Sequence, residues 1–124
     1  MAMGRGSAMA VFVVVVLVAL SSEWADAATY TVGDKGGWTF NVDGWPRGKT
    51  FRAGDTVVFN YGSAVHNVVA VNKAGYQKCS TTPGNAKVFQ TGRDRIRLAR
   101  GQNYFICSIP GHCQSGMKVA ITAT

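Results

Sequence analysis

Apolar and polar residues fall in short runs along most of the chain, and each run is closed by Gly, Asn, Asp or Pro. Such punctuation predicts strands and turns. The pattern places strands near Thr29–Val32, Thr39–Phe40, Thr56–Tyr61, His66–Val71, Val88–Phe89, Ile96–Leu98, Tyr104–Cys107 and Lys118–Thr122. Turns are expected at Gly33–Gly37, Trp45–Gly48, Ala53–Asp55 and Thr82–Asn85. No window sustains a 3.6-residue apolar period, so long helices are not expected; one short helical turn fits Lys73–Lys78. Strands at this spacing predict an all-β domain, a sandwich or a barrel. No internal repeat, linker or low-complexity stretch divides residues 28–124, so one domain is expected.

The first 27 residues read differently. Arg5 precedes an apolar run from Ala8 to Leu20, and Ala25-Asp26-Ala27 follows with a small-x-small pattern. This is the layout of a signal peptide cleaved before Ala28. The apolar run is shorter than the ~20 residues a membrane span needs. No N-x-[ST] sequon and no second hydrophobic tail occur, so neither an N-glycan nor a GPI anchor is expected. The expectation is a protein secreted to the extracellular space (apoplast or cell wall), monomeric and without an integral membrane anchor.

Charge adds a constraint on partners. Removing residues 1–27 takes away Arg5, Glu23 and Asp26, which raises the formal charge from +7 to +8. A small domain so charged favours anionic partners: acidic proteins, wall polysaccharides or membrane surfaces. Nucleic acid is not expected, because the leader directs the chain out of the cytosol and no base-stacking motif is present. Arg93, Arg95 and Arg97 alternate with Asp94, Ile96 and Leu98, which puts three arginines on one face of a strand. That face reads either as ordinary solvated surface or as a patch that docks an anionic redox partner.

The chemistry concentrates in Cys107-Ser-Ile-Pro-Gly-His112-Cys113-Gln-Ser-Gly-Met117, a C-x4-H-x4-M spacing. A thiol, an imidazole and a thioether, completed by a second histidine, form the donor set of a type 1 copper site. The chain has only one other histidine, His66. Three cysteines are an odd number for a secreted chain, and a pair plus one metal-bound thiolate accounts for all of them. Cys107 ends an apolar run, where a strand delivers a rigid ligand into a loop. Cys113 directly follows His112 and, on extended backbone, points away from it, so it is available to Cys79. The pair Cys107–Cys113 remains an alternative that would destroy the site. A zinc site of His66, Cys107, His112 and Cys113 and a Cys-His hydrolase with Cys107 as nucleophile are further alternatives. Asn67 is either a turn residue or a hydrogen-bond partner of the ligand loop or of the thiolate sulfur. Met117 is either core filler or a weak axial ligand.

The chain resembles the plant phytocyanins, and among them the plantacyanin (basic blue protein) branch. The matching words are Tyr30-Thr-Val-Gly-Asp, Gly37-Trp-Thr-Phe, Trp45-Pro-Arg-Gly-Lys-Thr-Phe51, Ala53-Gly-Asp-Thr-Val-Val-Phe-Asn-Tyr61, His66-Asn-Val, Tyr104-Phe-Ile-Cys107, Gly111-His-Cys113 and Gly116-Met-Lys118. They cover essentially all of residues 28–124. The resemblance implies a cupredoxin-like Greek-key β-sandwich and one copper ion held by His66, Cys107, His112 and Met117. It also implies a Cys79–Cys113 disulfide. Met117 stands where the stellacyanin branch carries Gln. The function so implied is one-electron transfer by a secreted blue copper protein that is not an enzyme. The alternative is an extracellular binding or signalling module, in the cell wall or in reproduction, with copper mainly structural.

Overall fold

The computed structural model describes residues 27–124. The leader expected at residues 1–27 lies almost wholly outside them. Among the described residues, seven strands form in chain order: β1 (Thr29–Thr31), β2 (Thr56–Asn60), β3 (Val68–Val71), β4 (Val88–Phe89), β5 (Arg93–Arg97), β6 (Gly101–Ile106) and β7 (Lys118–Ala123). A six-residue helix, α1 (Lys73–Lys78), follows β3. The strands make two sheets, ordered β1-β2-β5 and β4-β3-β6-β7. All pairs are antiparallel except β1 with β2. The chain crosses between the sheets after β2, after β4 and again after β5, as a Greek-key sandwich requires.

The alternation of side chains explains what each sheet buries. Val57 and Phe59 of β2 point inward and meet Val68 of β3, Phe105 of β6 and Val119 and Ile121 of β7 in the main core. Trp38 packs its ring edge-to-face on Phe59 at 4.9 Å. The second sheet is buried on both faces, which is why β3 reads Val-Val-Ala-Val with no polar break. Val69, Val71 and Ile106 point to its other side, where Tyr76 of α1, Tyr104 and the cysteine pair cover them. Asn72 caps α1 by accepting a hydrogen bond from the Gly75 N–H at 2.9 Å.

Several expected strands change. Thr39–Phe40 is a turn, because the chain leaves the edge of β2 after the Trp38 N–H bonds the Asn60 carbonyl at 2.9 Å. Asn41 then takes a left-handed conformation (φ 60°), and the Asn41 and Val42 N–H groups bond the Ser115 and Gly116 carbonyls. His66 and Asn67 precede their strand rather than open it: the His66 N–H closes a turn on the Gly62 carbonyl at 3.1 Å. At the other end of the range, β5 begins three residues earlier than the hydrophobic pattern indicates, since Arg93 to Arg95 pair with Asn60 to Val58 despite their charge.

Candidate metal centre

The loop between β6 and β7 is folded by its own backbone. The Cys107 N–H bonds the Met117 carbonyl at 3.0 Å, and the Met117 N–H bonds the His112 carbonyl at 3.1 Å. Residues 107, 112 and 117 are therefore drawn together at the end of the sandwich. Gly116 (φ 83°) makes this closure compatible with the 38–42 turn, since a Cβ there would sit 2.9 Å from the Asn41 backbone.

His66 arrives from the other loop. Its Nδ1 lies 3.1 Å from the His112 Nδ1, and the His112 Nδ1 lies 3.5 Å from the Cys107 Sγ. One donor atom from each of His66, Cys107 and His112 falls within a span of 4.8 Å. Cys107 and Met117 are fully buried, whereas both imidazoles are half-buried. Burial, and secondly the nearby His112, hold the His66 imidazole below the usual histidine pKa, which keeps a nitrogen lone pair free.

The cysteine pairing follows the same layout. Cys79, at the left-handed C-cap of α1, is bonded to Cys113 with a Cα–Cα distance of 5.6 Å. Cys107 is the free, buried thiol. This pairing removes Cys113 from the metal side, so the four-ligand zinc alternative and the Cys107–Cys113 bridge do not arise. One buried thiol facing two imidazoles, with a buried thioether hydrogen-bonded through its backbone to the same loop, fits a copper ion by its donor chemistry.

Asn67 joins the two loops. Its amide nitrogen donates to the Ser108 hydroxyl, and its amide oxygen accepts from the Ser108 N–H, both at 2.8 Å. The Asn67 carbonyl in turn accepts from the Trp38 indole at 2.8 Å. Asn67 thus grips the residue after Cys107 rather than the sulfur. Phe40 stands edge-to-face to both imidazoles, with centroids 5.8 Å from His66 and 5.0 Å from His112. The hydrophobic pattern assigned no such place to Phe40 or Ser108. The only signal was that Phe40 closes the word Gly37-Trp-Thr-Phe, and nothing in the sequence marks Ser108.

A two-sheet sandwich with a Cys-His-His-Met loop end defines a copper protein of the plastocyanin type, and residues 38–117 match the family model described as a plastocyanin-like domain. The chain is 57% identical to the chemocyanin of Lilium longiflorum over 126 residues, covering 99% of both. It is 59% identical to the basic blue protein of Cucumis sativus over 96 residues, 77% of this chain and 99% of that one. The solved structure of cucumber basic protein, a blue copper protein, is similar with a TM-score of 0.76, over 78% of this chain and all of that chain. Cucumber stellacyanin is more distant, at 32% identity and a TM-score of 0.69 over 80% of this chain and 99% of that one. The chain belongs to the phytocyanin family of blue copper proteins, alongside its basic blue proteins (plantacyanins).

Proposed function

We propose that this protein is a secreted one-electron carrier, with its copper held by His66, Cys107, His112 and Met117. The observation that carries the reading is the convergence of the free buried Cys107 thiol with both histidines of the chain. Copper bound there supplies a Cu(I)/Cu(II) couple. Cys107 contributes the thiolate and shields it from solvent; His66 and His112 contribute nitrogen lone pairs; Met117 contributes a soft, weakly held sulfur. The Asn67–Ser108 bonds hold the Cys107 loop against the His66 loop, so the donors stay in place as charge comes and goes. His112, half-buried in the end loop, is the route by which the electron reaches a partner. The partner carries negative charge, matching the cationic surface. Residues 1–27 are the leader, and residues 28–124 the mature domain. The chain has no substrate of its own to transform.

Copper-loaded protein should be intensely blue when oxidised, and Cys107→Ser should abolish the colour while leaving the fold intact by circular dichroism. A colourless wild-type product after copper loading would overturn the reading. A second reading, an extracellular binding module with structural copper, draws on the same positive charge. It gains if Met117→Gln moves the redox potential and leaves biological activity unchanged.

A further inference from the structure

The outer face of the β1-β2-β5 sheet lies away from the sandwich core, and its side chains follow from the register. Arg93, Arg95 and Arg97 are exposed on β5; across β2 they stand opposite Asn60, Val58 and Thr56. Thr31 and Thr29 of β1 continue the same rows. No carboxylate occurs in these rows. Of the four Asp side chains among the described residues, Asp55 and Asp94 are buried, and the exposed Asp34 and Asp43 lie in turns. Alternate residues of a strand repeat at about 6.8 Å, so the three arginines stand along one strand over about 14 Å. The row starts at Arg93, next to the Gly92 carbonyl that accepts from the Tyr61 N–H, and runs toward Gly54.

We propose that this face docks a linear polyuronate, a polysaccharide carrying one carboxylate on each sugar. Guanidinium groups pair with carboxylates through two parallel hydrogen bonds, and a row of them suits an extended chain of carboxylates better than a single compact anion. The threonines and Asn60 beside the row offer hydroxyl and amide groups that match sugar hydroxyls. A bilayer is a poorer fit, because the large exposed apolar residues, Phe40, Val65 and Val88, all lie off this face and none is there to insert. A folded protein partner is also a poorer fit, because such interfaces form around an exposed apolar centre, and the one apolar residue in these rows, Val58, is buried. The site is separate from the copper loop and independent of the electron-carrier reading.

The copper-loaded protein is titrated calorimetrically at physiological salt with unesterified polygalacturonate, with its fully methyl-esterified form, and with phosphatidylserine-containing vesicles. Binding is expected to the unesterified polymer only. Replacing Arg93, Arg95 and Arg97 together by Gln should weaken it about tenfold, the sum of three modest surface ion pairs. Replacing Lys73, Lys78 and Lys87 by Gln removes the same charge from exposed positions on α1 and beside β4, and should cost less than about twofold. A gentler triple change of the arginines to Lys keeps charge and fold and should still cost more than about twofold, because paired hydrogen bonds are lost. Unchanged blue colour in all variants keeps this test separate from the copper site. Equal weakening by the arginine and lysine sets, preference for vesicles or for the esterified polymer, or no binding at all would overturn the proposal.

Discussion

Phe40 illustrates how one side chain acts at the centre without being a donor. Its ring holds both imidazoles edge-to-face while remaining 40% exposed itself. Aromatic pairs of this kind contribute about 0.5–1.5 kcal/mol beyond burial. Phe40→Ala is expected to leave the fold unchanged and to quicken copper loss to a chelator, read as decay of the blue absorbance. Asn67→Ala removes two part-buried hydrogen bonds to Ser108, which together should cost about 1–3 kcal/mol in thermal or denaturant unfolding. Tyr61 makes a different kind of prediction. Its one hydroxyl proton is donated to Asp94, with the Phe89 carbonyl 3.2 Å away, and burial, then the Asp94 bond, push its pKa up to about 12. The fold therefore favours the protonated phenol: this contribution to stability is complete below the ordinary tyrosine pKa of about 10 and is lost as pH rises through about 12. Ultraviolet titration should show one of the four phenols ionising near 12, and Tyr61→Phe should delete that step.

At the scale of elements, the end loop depends on two ties. The disulfide anchors its Cys113 side to α1, across a sequence separation of 34 residues. Changing Cys79 and Cys113 together to Ala should lower stability by about 2–4 kcal/mol in chemical denaturation, while Cys107 remains free to bind copper. The other tie is the 38–42 turn, bonded through Asn41 and Val42 to Ser115 and Gly116. Sequence and structure part company at this second tie. Strand interiors such as Val57–Phe59 were legible because alternation and β-branched residues are local signals. The departure at Thr39–Phe40 and the early start of β5 are set by backbone partners far away in the chain, Ser115, Gly116 and Asn60, which no local pattern encodes. The loop of Cys107, His112 and Met117 was readable because rare residue types stand within eleven positions; the neighbours Phe40 and Ser108 were not, since only the packing of three loops brings them there.

For the whole molecule, the distribution of charge matters more than its total. Among the described residues, both buried carboxylates are hydrogen-bonded inside the fold: Asp55 to the Ala28 and Arg52 N–H groups, and Asp94 to Thr91 and Tyr61. The exposed surface is thereby more cationic than the composition alone implies. Encounter with an anionic redox partner should accordingly slow with salt, and stopped-flow electron transfer to a small anionic oxidant should fall in rate as ionic strength rises, with the reverse trend for a cationic one. All of this presupposes that the end loop holds copper through the Cys107 thiolate. The most direct measurement is the combined visible and EPR spectrum of the copper-loaded, oxidised protein. We expect an intense blue thiolate-to-copper absorption with the narrow copper hyperfine splitting of a type 1 site, both lost in Cys107→Ser. A metal-free product, or a pale spectrum with wide splitting that Cys107→Ser leaves unchanged, would contradict the account.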